Sequence, residues 1–265
     1  MSACPICAGP RTKAFRATVL GRHDADFLHC EGCGFVGAES PHWLAEAYQD
    51  AIAVTDTGIV QRNLWTARRL APLLYFGLDP GRPYLDLAGG YGLLVRAMRD
   101  LGFDFYWDDP HAPNLVARGF EAGDAPREYA AVTAFEVLEH VPDPLSFVAG
   151  ALARARTRTL VFSTELYRGT APPPPDWWYY SFDTGQHISF FAPRTIETLG
   201  RRLSLSFQTF HGLHVLSERP LPAGRLRLAT GRLAPLATEY VRRRLGSRTW
   251  PDHERALAGL RSRPT

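Results

Sequence analysis

Residues 84–95 read Tyr-Leu-Asp-Leu-Ala-Gly-Gly-Tyr-Gly-Leu-Leu-Val: an apolar strand ending in a carboxylate, a glycine turn, and the start of a helix. A helix N-terminus behind a glycine loop attracts anions, and dinucleotide sites use that turn for a pyrophosphate with the spacing Gly-x-Gly-x-x-Gly. Here Val95 stands where the third glycine is needed, and Asp86 sets a negative charge just ahead of the loop. That charge repels a pyrophosphate. It suits a ligand carrying an ammonium and a sulfonium, and Gly89, Gly90 and Gly92 let the backbone approach such a ligand closely.

A second constellation lies near the N-terminus. Cys4 and Cys7 form one Cys-x-x-Cys pair, Cys30 and Cys33 another, and 22 residues separate them. Two such knuckles bring four thiolates to a tetrahedral Zn²⁺, with Gly9 and Gly34 at the bends and Pro5 stiffening the first turn. Buried free thiols or a redox pair are the other readings, and in a reducing compartment disulfides are the weaker one. Four protein ligands leave no open position, so the metal's role is structural. The segment between them has strand-type residues around Gly21-Arg22-His23-Asp24, which predicts a hairpin. His23 and His29 then fall on the surface or behind the ligands.

The elements that must position these groups alternate in type. Strands are expected at Tyr84–Leu87, Phe103–Trp107, Ala130–Phe135 and Thr159–Ser163, with a weak one near Phe120. Helices are expected at Leu93–Leu101, Ala112–Arg118 and Pro144–Ala155. Alternating strands and helices predict a parallel sheet covered on both faces, with ligands outside the carboxyl ends of the strands. Asp86, Asp108, Asp109, Phe135 and Glu136 all fall at those ends. Ahead of this run, Pro41–Asp50 and Gly58–Gly77 have helical spacing. After it, Ala171–Asp176 is too proline-rich for helix or central strand, and it leads into the aromatic run Trp177-Trp178-Tyr179-Tyr180. Ile188–Phe191 is apolar, Pro193–Leu203 reads as a helix, and Leu203–Phe210 with Leu213–Leu216 reads as an antiparallel hairpin. The fold class expected is therefore α/β, a Rossmann-like, doubly wound and mostly parallel sheet with antiparallel C-terminal strands, plus a small zinc ribbon. The expected division is residues 1–40 for the ribbon, 41–218 for the α/β domain and 219–265 for a basic helical extension.

A chain of 265 residues with 45% hydrophobic and 22% charged residues is ordinary for a globular protein. A net charge of +3 does not by itself imply a polyanionic partner, and with Lys13 the only lysine, the arginines read as coding bias. No apolar run approaches the ~20 residues that span a bilayer. Without a signal-like leader, the expectation is a cytoplasmic protein.

Two strings, Leu85-Asp86-Leu87-Ala88-Gly89-Gly90-Tyr91-Gly92 and Phe135-Glu136-Val137-Leu138-Glu139-His140-Val141-Pro142-Asp143-Pro144, resemble class I S-adenosylmethionine (SAM)-dependent methyltransferases. With the cysteine module, the layout is similar to that of zinc-module sugar C-methyltransferases. The resemblance covers Tyr84 to Leu216 well, the cysteine module moderately, and the basic tail hardly at all. It implies SAM as cofactor. Asp86 would hold the methionine ammonium, Asp109 both ribose hydroxyls, with Asp108 its competitor, and Phe135 and Glu136 would flank the methyl donor. Ala88 stands where the family usually has glycine, which disfavours the left-handed backbone and weakens the expected cofactor affinity. His187 occupies the region that carries a base in the sugar enzymes, with Gln186 in place of an acidic residue, and His140 is the second candidate. A helix cap or core hydrogen bond is the competing reading for His187, as a solvated loop carboxylate is for the acids.

The function this implies is methyl transfer to a hydroxyl or activated carbon of a small-molecule acceptor such as a sugar or glycan precursor. The aromatic run could stack on that acceptor or pack as a lid. One rival is an RNA or protein methyltransferase that docks through the ribbon and the Arg-rich tail. Phe135-Glu136-Val137 differs from the Asn/Asp-Pro-Pro-aromatic ending of base amino-group methylation, and nucleic acid is not the expected partner. The other rival is an inactive scaffold, with Ala88 as its warning. Oligomeric state is not legible.

Overall fold

Beta-branched and aromatic residues at alternate positions between turn residues build the first strands, and leucines at helical spacing build most helices. The computed structural model describes residues 2–48, 56–123 and 127–261. In chain order the elements begin with β1 (Thr12–Val19), β2 (His23–His29), β3 (Val36–Ala38), α1 (Leu44–Ala47), α2 (Ile59–Gly77) and β4 (Tyr84–Leu87). Then come α3 (Leu93–Asp100), β5 (Phe105–Asp108), β6 (Ala131–Phe135), α4 (Pro144–Arg154), β7 (Thr159–Ser163) and β8 (Ser189–Phe190). The last are α5 (Pro193–Arg202), β9 (Ser206–Phe210), β10 (Leu213–Ser217), α6 (Ala223–Thr230), α7 (Ala234–Leu245) and α8 (Thr249–Arg261). The expected alternation is present, in an α/β, Rossmann-like fold. Gln49 and Asp50, the end of the first expected helix, lie outside the described residues.

The chain divides into two compact units, each assembled from separated segments. One comprises Thr57–Thr133, Ala155–Thr157 and Leu221–Thr265. Here β4 runs parallel to β5, with Tyr84 opposite Phe105 and Leu87 opposite Asp108, and parallel to β6, with Asp86 opposite Thr133. Helix α2 packs against α3, α6 and α7. The basic tail is therefore part of this core. Arg99, 1% exposed, donates to both carboxylate oxygens of Asp252 at 2.8 Å and so anchors α8. A bidentate pair of this kind is rigid in its geometry.

The helix expected over Ala112–Arg118 is not formed; residues 111–119 make bends and turns. Pro113 lacks an N–H, Asn114 Oδ1 accepts from Ala117 N–H at 2.9 Å, and Gly119 takes φ +87°. Local side-chain bonding has replaced the helical ladder. The weak strand near Phe120 is reduced to a parallel bridge between Trp107 and Glu121.

The other unit comprises Met1–Asp56, Ala134–Arg154 and Arg158–Pro220. Strand β10 pairs antiparallel with both β7 and β9, as expected of the closing hairpin. A separate four-stranded sheet has the order β1-β2-β3-β8, so the cysteine-bearing segment is completed by a strand from residues 189–190. Between the knuckles, β1 and β2 form the expected hairpin, with Val19 opposite His23. Behind this sheet lies a core of Val19, Phe27, Val36, Trp43, Tyr167, Tyr179, Tyr180, Ile188 and Phe190. The aromatic run thus serves packing: Tyr179 and Tyr180 are buried, Trp177 packs beside them, and Trp178 alone is 70% exposed.

Candidate functional site

Asp86 is the third residue of β4, on a strand buried by its neighbours, and it is 3% exposed. Thr133 on β6 donates to its Oδ1 at 2.5 Å. Among the described residues it has no basic partner. Burial first, then the charge of Asp109, pushes its pKa up to about 7 against the pull of the Thr133 hydroxyl. A carboxyl held there without a cation is poised to receive one.

The loop after it is shaped for close approach. A Cβ on Gly89 would lie 2.8 Å from Trp107 Cδ1 and 3.0 Å from Asp86 Oδ2. Gly92 takes φ +87°, and its Cβ would fall 2.8 Å from Asn114 Oδ1. Trp107 Nε1 donates to Gly90 O at 2.8 Å, which pins the turn from the neighbouring strand. Ala88 adopts φ +52°, so the left-handed backbone that its side chain disfavours is formed nonetheless. That conformation costs about 1–2 kcal/mol in a residue with a Cβ.

Asp109 follows β5 and is half-buried. Its Oδ2 accepts from Gly90 N–H at 2.8 Å, and its Oδ1 accepts from His111 and Ala112 N–H at 2.7 and 3.1 Å. It therefore holds the glycine loop and caps its own turn, and Oδ2 keeps one further acceptor direction. A cationic group beside Asp86, a chain laid over the glycines and hydroxyls at Asp109 match the polar outline of SAM. The residues present fit that cofactor.

A second group of residues lies in the other unit. Beyond β6, Glu136 takes φ +54°; its N–H donates to Ser163 Oγ, and that hydroxyl donates back to Glu136 Oε1 at 2.5 Å. Phe135 and Glu136 are half-buried. A single 3₁₀ turn, Leu138–His140, then presents Glu139 and His140. Alongside runs the segment 186–189: Ile188 N–H donates to Glu139 O at 2.8 Å, and Ser189 Oγ donates to Val141 O at 2.7 Å. This stitching sets His187 against His140, ring centroids 4.8 Å apart and edge to face. Desolvation first, then the neighbouring imidazole, lowers the His140 pKa to about 3, and desolvation lowers that of His187 as well. Both rings are neutral near pH 7.

Glu139 was not among the residues expected to matter. It is 0% exposed, and burial with the nearby Glu136 charge raises its pKa to about 8. The signal is present in the spacing Glu136-x-x-Glu139-His140, which sets two acids and an imidazole within five residues.

The four cysteines converge in the same unit. Cys4 Sγ lies 3.6 Å from Cys33 Sγ, Cys7 Sγ lies 3.4 Å from Cys30 Sγ, and all four sulfurs are within 4.8 Å of one another. Sulfurs about 2.3 Å from one tetrahedral ion are about 3.8 Å apart. The set therefore fits Zn²⁺ with little adjustment. His23 pairs instead with Glu46 Oε2 at 3.1 Å, and His29 is buried.

Comparison with known proteins adds the family. Residues 61–206 match the sequence profile of the family described as Methyltransferase domain. Among solved structures, an O-methyltransferase family 2 protein from Planctomyces limnophilus DSM 3776 in complex with apigenin is 20% identical, with a TM-score of 0.48, over 67% of this chain and 64% of that one. Human N-acetylserotonin methyltransferase in complex with SAM is 15% identical, with a TM-score of 0.45, over 67% and 66%. TnmH is 17% identical, with a TM-score of 0.44, over 62% and 57%. The chain thus spans between 57% and 66% of the length of these three structures. No curated protein matches it. Since the profile runs from within α2 to the start of β9, more than half of the chain, this protein belongs to the methyltransferase domain family, of the class I SAM-dependent kind.

Proposed function

We propose that the protein transfers a methyl group from SAM to a hydroxyl or activated carbon of a small-molecule acceptor. The observation that carries this reading is Asp86, a buried carboxylate without a basic partner among the described residues, beside a loop in which Gly89 and Gly92 leave no room for a side chain. Asp86 would take the methionine ammonium, Gly89, Gly90 and Gly92 would lie under the chain of the cofactor, and Asp109 would take the ribose hydroxyls. When bound, SAM supplies a methyl group on a sulfonium, which becomes a neutral thioether as the acceptor gains that methyl and loses a proton.

The chain's own part is to orient the acceptor and remove its proton. His187 and His140 are the groups proposed for this. Each ring bonds a backbone carbonyl through Nδ1, so that nitrogen carries the hydrogen and Nε2 carries the lone pair. Phe135 and Glu136 are proposed to flank the methyl donor. Cys4, Cys7, Cys30 and Cys33 are proposed to hold a structural Zn²⁺. The acceptor class favoured by the cysteine module is a sugar or glycan precursor; the rival RNA or protein substrate would need the tail, two of whose helices, α6 and α7, pack against α2.

Calorimetry with SAM tests cofactor binding, and mass spectrometry of a small-molecule extract incubated with protein and SAM identifies the acceptor. Absence of SAM binding by the intact chain would leave only a scaffold. Methyl groups found on RNA or protein alone would reject the small-molecule reading.

A further inference from the structure

We propose that Glu139, His140 and His187 form a metal site apart from the four cysteines, taking one divalent first-row cation through a carboxylate oxygen and two imidazole nitrogens. The potential ligand atoms of these three residues lie within 4.8 Å of one another. Donors about 2.1 Å from a common ion are at most about 4.2 Å apart, so the widest pair closes by little more than half an ångström.

The hydrogen bonds around the trio are those that a metal site requires. Gln186 O faces His140 Nδ1 at 3.1 Å, and Tyr179 O faces His187 Nδ1 at 2.7 Å. A carbonyl oxygen only accepts, so both rings are fixed with the hydrogen on Nδ1 and the lone pair on Nε2. Such outer bonds are the usual means of orienting a ligating histidine. Tyr179 also donates its hydroxyl to Glu139 Oε1 at 2.8 Å, so one residue sets two ligands.

An independent observation marks what is missing. Glu139 is fully buried, and among the described residues its Oε2 has no hydrogen-bond partner. An unpaired buried carboxylate oxygen is costly, and in folded proteins such groups are paired or bind metals. The charge of Glu136 acts on both Glu139 and His187. Two imidazoles in the set favour a transition metal over Mg²⁺ or Ca²⁺. Three protein ligands leave a position open. With both Nε2 lone pairs on a cation, the cation would take the place of the imidazoles as the group that draws an acceptor hydroxyl, easing loss of its proton to solvent. That use rests on the methyl-transfer reading; the binding itself does not.

Mn²⁺ tests the site apart from the cysteines, because thiolates do not favour it. The full-length chain, briefly dialysed against a chelator, is titrated with Mn²⁺ and followed by electron paramagnetic resonance. Wild type should bind one equivalent, and His187→Ala and His140→Gln should each bind at least tenfold more weakly with unchanged circular dichroism. His23→Ala should bind as wild type does. No uptake by wild type, or equal uptake in a folded variant of either ligand histidine, overturns the proposal. If His187→Ala does not fold, His140→Gln decides. Calorimetry with SAM on the same samples keeps the two readings separate: SAM binding without Mn²⁺ uptake rejects this site alone, and Mn²⁺ uptake without SAM binding supports it while rejecting methyl transfer.

Discussion

Replacing Asp86 by asparagine should stabilise the cofactor-free protein while abolishing its ability to bind SAM. Asparagine has nearly the same shape and can still accept from Thr133 Oγ1. It removes only the ionisation. Raising a carboxyl from 3.8 to about 7 in the folded state corresponds to roughly 4 kcal/mol against the ionised form. The sign follows from proton uptake: the folded protein holds its proton to higher pH than the unfolded chain does. The favourable contribution is complete below the unfolded value near 3.8 and is lost as pH rises through about 7. Wild type should therefore lose stability relative to Asp86→Asn across that window, with roughly 2–3 kcal/mol of the difference opening between pH 5 and pH 8. Other buried acids, Glu139 among them, titrate in both proteins and cancel in the comparison. Urea denaturation of both proteins at pH 5 and pH 8 without SAM measures it. At pH 8, SAM should raise the midpoint of wild type and leave that of the variant unmoved. Parallel stability profiles for the two proteins would refute the claim that Asp86 is a buried charge awaiting a cation.

Ala88→Gly should relieve the left-handed strain at φ +52° and stabilise the fold by about 1 kcal/mol, read as a shift in the denaturation midpoint. Asp109→Ala should weaken SAM binding by about 2–4 kcal/mol through loss of charge-assisted bonds, and unchanged affinity in calorimetry would reject the ribose assignment. His187→Ala should keep SAM affinity and lower turnover by about 10²–10⁴-fold, and full activity would move acceptor activation elsewhere. Cys33→Ser should release about one zinc per chain and cost roughly 5 kcal/mol or more, checked by metal analysis with thermal unfolding.

The features legible in the sequence are those fixed by local chemistry. Asp86 and the glycines after it declare a strand, a turn and a helix whatever surrounds them, and two Cys-x-x-Cys pairs admit few arrangements. Where side chains compete with the backbone, periodicity misleads: Ala112–Arg118 has helical spacing, but Pro113 and the Asn114 side chain divert the chain into turns. The aromatic run was ambiguous because burial is a property of the partner surface; Tyr179 and Trp178 are adjacent, yet one is buried and the other exposed. Glu139 was passed over for a different reason. The sequence weighs each histidine alone, whereas the proximity of His140 to His187 arises from bonds between distant segments, Ser189 Oγ to Val141 O and Ile188 N–H to Glu139 O.

The two-residue strand Ser189–Phe190 has a consequence for how this protein can change. It finishes a sheet whose other three strands come from the cysteine-bearing segment, and Cys33 O is tied to Thr195 Oγ1 at the head of α5. Excising that segment would unroof Phe190 and strip the support from His187, three positions earlier. Recombination that exchanges the N-terminal forty residues must therefore bring a matching stretch near 189, or lose the histidine's alignment.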